Sequence, residues 1–210
     1  MVDTAVRIDW DGYETYHPGV DGPLNTLPRG EARRAFDMLM EAKSERVEIL
    51  RRLLGANGVE LSSSDQSIQD LNDWFRGNVE PDPETPGRLL PDWYSVVNDV
   101  ALFLGDVMIE RCPGLRWEFF TWGAKNVSYQ RHVIMGFSRV ADSRYNIDID
   151  RAVAGYGHRL VASRGSVASY GTRVVRGVEV DVDAAATRGR ERPIEEDAFV
   201  RWLTLAESNA

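Results

Sequence analysis

The stretch from Pro91 to Phe137 sets the terms for any fold this chain adopts. In its first part the apolar residues Trp93, Val96, Val97, Val100, Phe103, Leu104, Val107 and Met108 recur at three and four and occupy more than one face. That is the pattern of a helix buried on most sides. At Pro113 and Gly114 the period changes. Leu115, Trp117 and Phe119 alternate with Arg116, Glu118 and Phe120, and Tyr129 to Phe137 alternates again after a turn at Gly123 to Asn126, so an antiparallel hairpin is predicted to follow the helix.

Other helices frame this block. From Pro28 to Leu54, Ala32, Phe36, Leu39, Met40, Val47 and Leu50 recur at helical spacing, and Gly55 supplies a stop. A shorter helix starts at Ser63 or Ser64, either of which can cap a first turn, with Gln66 placed to close a capping box with Ser63. Ile68, Leu71, Trp74 and Phe75 form its apolar stripe. Four prolines between Glu80 and Pro91 predict a connecting loop, because each lacks a backbone donor. Beyond Val140, Asp148 or Asp150 can cap a short helix through Val153 and Leu160. A repeat at an offset of fourteen, Ala154 to Val161 against Ala168 to Val175, reads alternatively as two short strands. A last amphipathic helix opens at Pro193, Glu195 and Glu196, with Phe199, Trp202 and Leu203 as its apolar face.

The expected fold is therefore α+β: N-terminal helices packed with a small antiparallel sheet or hairpin over Leu115–Phe137, closed by a C-terminal helix. A mostly helical architecture is the alternative. One domain over 1-210 is expected, with 1-27 an irregular arm and 165-192 a flexible segment, since 210 residues and 43% apolar composition support one sizeable core.

Charge and cysteine content restrict the function classes. A net charge of −8 disfavours nonspecific binding to phosphate backbones, which depends on Lys and Arg displacing counterions. Nucleic acid is thus an unlikely partner unless Arg173, Arg176, Arg188, Arg190 and Arg192 gather on one face against Glu179, Asp181, Asp183 and Glu191. Of the 25 basic residues only Lys43 and Lys125 are Lys, a skew that reads as codon bias in a GC-rich bacterial genome. A single cysteine excludes an intrachain disulfide, and neither an apolar leader nor an uninterrupted apolar span is present; a cytoplasmic address away from membranes is the expectation.

No motif names a chemistry. Cys112 falls at the C-terminal end of a helix, where the dipole disfavours a thiolate. His17, His132 and His158 lack metal-ligand spacing, and the alternating Glu179, Asp181 and Asp183 more often protect an edge strand than hold a cation. Phosphate loops, dinucleotide fingerprints and nucleophile elbows are missing, so neither a metal nor a cofactor is expected.

Two functional readings follow. The first is a small acidic protein that binds another protein, in a neutralising, immunity-type or assembly role, through Trp122, Tyr129, Arg131 and His132, residue types that dominate interface hot spots. The second is an enzyme acting on a polar small molecule, with His132 as acid or base and Glu118 or Asp106 as its partner. A concave pocket holding His132 beside a carboxylate favours the second; a flat, exposed aromatic patch favours the first.

Overall fold

A computed structural model of the chain describes residues 8–85, 87–168, 173–175, 178–180 and 194–210. Among the described residues, five α-helices and short antiparallel strand pairs make an α+β arrangement in which helix dominates. The helices are α1 (Arg29–Ala56), α2 (Asp65–Asn78), α3 (Pro91–Arg111), α4 (Ile149–Ala168) and α5 (Ala198–Asn209). Strands β1 (Arg116–Phe119) and β2 (His132–Met135) pair in one sheet, and β3 (Arg173–Val175) and β4 (Val178–Val180) in another.

The apolar stretch that dominates the sequence is α3, and it lies at the centre. Residues on all sides of it are buried, from Trp93 to Met108, and α1, α4 and α5 pack around it. Pro91 occupies its first turn, where a missing N–H costs nothing. On α1 the buried positions Ala32, Ala35, Leu39, Arg46, Ile49, Leu50, Leu53 and Leu54 trace one stripe, and an arginine stands within that stripe. Helix α1 passes Gly55 and ends at Ala56. Helix α2 starts one residue later than a Ser63 capping box requires: the Ser64 side chain accepts from the Ser67 N–H at 3.2 Å, while Gln66 reaches forward to Asp70.

In the hairpin, Arg116 pairs with Met135, Trp117 with Ile134, Glu118 with Val133 and Phe119 with His132. The strands are shorter than the alternation predicts. Residues 120–131 form the connection, which contains the predicted turn at Gly123 to Asn126, where the Asn126 N–H donates to the Gly123 carbonyl at 2.8 Å, and Gln130 takes a left-handed conformation (φ 62°) just before β2. Gln130 is held there by its side-chain amide, which donates to the carbonyls of Leu24 and Leu27 at 2.7 and 2.9 Å. On its second edge β2 bridges Ile147 through two backbone hydrogen bonds, Ile134 N–H to Ile147 O at 2.9 Å and Ile147 N–H to Ile134 O at 3.0 Å. Covered on both edges, β2 is buried at all four positions.

The proline-rich connection also has order of its own. Asp82 N–H to Arg88 O and Leu90 N–H to Glu80 O form a short antiparallel bridge around Pro81 and Leu89. The stretch 154–161 lies wholly within α4 and is helical, which removes the strand alternative for it. No helix among the described residues is long and apolar enough to cross a membrane. Asp181, Asp183 and the arginines from Arg176 to Arg192 lie outside the described residues.

Candidate functional site

Residues 8–27 run irregularly across the N-terminal ends of α3 and α4, with one 3-10 turn at Leu24–Thr26. Beyond the Asn57 side chain, which bonds the Asp9 N–H and carbonyl at 3.0 and 2.7 Å, two anchors hold them. The first is a buried polar cluster in which Arg46 of α1 meets Asp99 of α3. Arg46 Nε donates to Asp99 Oδ1 at 2.9 Å and a terminal nitrogen to Oδ2 at 2.5 Å, and its other terminal nitrogen donates to the Glu14 carbonyl at 2.7 Å. The Tyr13 hydroxyl donates to Asp99 Oδ2 at 2.5 Å, and the Tyr16 N–H donates to Ser95 Oγ at 2.6 Å. Asp99 is fully buried. Burial pushes its carboxyl above the ordinary value against the pull of Arg46, Tyr13 and Asn98, and burial likewise raises the Tyr13 hydroxyl. The second anchor is Gln130, through Leu24 and Leu27.

Between these anchors the segment 15–24 roofs a cavity of about 430 Å³. Its apolar wall comes from Phe36 and Leu39 of α1, with Tyr16 and Val20 from the roof. Ser95 and Asn98 of α3 lie at the buried end, and Asp92 and Tyr94, one helical turn earlier, at the exposed end. Arg131, His132 and Asp150 complete the lining.

The local fold explains why these three meet. The bridge between Ile134 and Ile147 brings the residues after Ile147 alongside the start of β2. Asp148 and Asp150 therefore face Arg131, whose Nε donates to Asp148 Oδ2 at 2.7 Å and whose terminal nitrogen donates to Asp150 Oδ2 at 2.5 Å. Asp148 also accepts from the Arg151 N–H at 3.1 Å, so it caps the first turn of α4 as well.

His132 is 6% exposed, and its Nε2 is buried with no hydrogen-bond partner among the described residues. The Trp117 ring lies against it at a centroid distance of 6.0 Å. Burial is the largest influence on the imidazole and pushes its pKa below the ordinary 6.5; Asp150 and Asp148 pull it up and Arg131 pushes it down. The shift favours the neutral ring, which carries one N–H donor and one lone-pair acceptor.

The structure separates the other residues singled out in the sequence. Glu118 is paired with Arg116 at 2.7 Å. Asp106 receives the Lys43 ammonium at 2.5 Å and the Trp117 indole N–H at 2.8 Å. Neither is among the charges that act on His132, where Asp150 and Asp148 stand instead. Trp122 is 52% exposed, Tyr129 is half-buried and Arg131 is committed to its two carboxylates. Cys112 is buried with a raised pKa, chiefly through desolvation. His17 lines the cavity from the roof. Among the described residues no three His, Cys, Asp or Glu side chains gather as a metal would require.

Sequence reasoning pointed to His132 and Arg131 but missed the arm, Ser95, Asn98 and Asp150 as their neighbours. The one signal available was Asp99 on an otherwise apolar helix, since a carboxylate there demands a cation from another element. No family model, curated protein or solved structure matches the chain.

Proposed function

We propose that this protein binds a small organic molecule in the cavity under residues 15–24, with His132 as the group that exchanges a hydrogen bond or a proton with it. The observation that carries the reading is that His132 is one of the residues lining a cavity of about 430 Å³ and that its buried Nε2 has no hydrogen-bond partner among the described residues. An unmade buried hydrogen bond costs about 1–3 kcal/mol, and a polar ligand group reaching the imidazole would recover it. The size and mixed lining suit a small molecule with an apolar body and one polar end. A neutral imidazole beside Asp150 is also equipped for general acid–base work, so the site is compatible with catalysis on the bound molecule.

Thermal melting against a fragment library tests this. Ligands at one hundred times their Kd add about 2.7 kcal/mol to stability. We expect hits that raise the Tm of the wild type and lose that effect in a folded His132→Phe variant. A library that stabilises neither protein, or both alike, ends the reading.

A second reading has its own observation. Trp122 and Val127, both more than half exposed, share the 120–131 connection and would suit docking to another protein. Capture from host lysate by the wild type but not by a folded Trp122→Ala variant is the expected result; equal capture removes Trp122 from any interface.

A further inference from the structure

We infer that the molecule bound in this cavity carries a positive charge: a protonated amine on an apolar body about the size of a fused ring. The inference rests on the pocket reading above and adds the charge of what fills it.

The first argument is the balance of fixed charge. Arg131 is the guanidinium in the cavity lining, and it is already covered by Asp148 at 2.7 Å and Asp150 at 2.5 Å. Two carboxylates on one guanidinium leave negative charge in excess, and Asp92 adds a third carboxylate at the exposed end. The next cation inward, Arg46, spends its donors on Asp99, Glu14 O, Tyr13 and Ser95. Lys43 is turned to Asp106. A phosphate or carboxylate would therefore find no uncommitted cation among these groups, and would stand beside like charge. A cation meets the opposite situation.

The second argument is the chemistry of the walls. Tyr16, Phe36 and Tyr94 present aromatic rings, whose faces attract cations while their area buries an apolar body. One face of Tyr16 already lies 5.7 Å from the Arg46 guanidinium and one face of Phe36 5.4 Å from that of Arg33, so Tyr94 is the ring with no guanidinium over it among the described residues. The third is His132 itself. It is 6% exposed and has no partner at Nε2 among the described residues, so as a neutral ring it can accept from an ammonium N–H through its lone pair.

Three probes that share an indole body separate the charge from the shape: tryptamine, tryptophol and indole-3-propionate. Calorimetric titration of the full chain at pH 7 is expected to give tryptamine at least tenfold tighter binding than either of the others. Asp92→Asn and Asp150→Asn should each weaken tryptamine severalfold more than they weaken tryptophol; in the second variant Asp148 still pairs with Arg131, which preserves the fold. Equal or tighter binding of tryptophol or indole-3-propionate, with the His132 ring resonances shifting on addition, overturns the charge assignment and leaves the pocket reading standing. Tryptamine binding that ignores both substitutions overturns it too. Failure of all three probes to bind or to move His132 overturns the charge assignment together with the pocket that it rests on.

Discussion

Arg46 and Asp99 show how one pair of side chains can fix the position of a segment that has almost no regular structure. Their ion pair is 7% and 0% exposed at the side chains, and it also holds Tyr13 and the Glu14 carbonyl. Removing one member strands the other charge in the core, a loss of about 3–5 kcal/mol. Arg46→Met should therefore lower unfolding free energy by that amount in urea titrations. The double variant Arg46→Met with Asp99→Leu should recover most of it, because a well-packed apolar pair is often no worse than a buried ionic one. A single variant within about 1 kcal/mol of wild type would mean that the cluster does not hold the arm.

His132 makes a pH prediction at the same scale. Its pKa is depressed by burial, so the unfolded chain takes up a proton before the folded one does. Above the ordinary 6.5 both forms are neutral and the group contributes no slope. As pH falls through 6.5 the unfolded state gains protons that the folded state refuses, stability drops, and the loss levels off once pH is below the folded value. Urea midpoints measured from pH 7.5 to 5.5 should fall more steeply for the wild type than for His132→Gln; identical slopes would mean that the ring is not buried neutral.

At the scale of elements, the contact between α3 and β1 depends on Gly105. A Cβ there would clash with the Cζ2–Cη2 edge of the Trp117 ring, whose indole N–H donates to Asp106 on the same helix. Gly105→Ala should cost about 1–3 kcal/mol as an overpacked contact, and thermal melting is enough to see it; an unchanged Tm would show that Trp117 can move away freely. The sequence made this approach legible, because a glycine on a helix buried all round invites a neighbouring element. It made α1, α2 and α3 legible for the same reason: periodicity reports which faces are covered. It did not reveal that β2 is flanked on its second edge by Ile147, since a single bridge leaves no alternation to read. That bridge brings Asp148 and Asp150 to Arg131, so the carboxylate neighbours of His132 stayed hidden while Glu118 and Asp106, nearer in the hairpin pattern, looked better placed. The arm was legible only as irregular, because hydrogen bonds from Arg46, Ser95 and Gln130 determine its path.

In the whole molecule, one apolar cluster runs from Leu50 of α1 to Ala206 of α5 and surrounds α3. Of the buried polar groups, Asp99, Arg46, Ser95, Asn98 and His132 lie on the side of α3 that the arm covers, whereas Asn72 of α2 bonds Glu196 O and the Phe199 N–H at the start of α5. A core that tolerates so many buried polar groups in one place either positions a segment or serves a ligand, and the cluster with Asp99 does the first. Asn98 donates to Asp99 at 3.2 Å and belongs to that cluster, so His132, which lines the cavity, is left for the second. The account turns on whether His132 is part of a binding surface. The most direct measurement is the set of histidine ring nuclear magnetic resonances, in protein labelled at histidine, recorded while fragment hits are added. The account predicts that the hits move the His132 ring signals, and that His132→Phe removes the binding. Hits that leave those signals fixed, and bind the variant as tightly as the wild type, would contradict it.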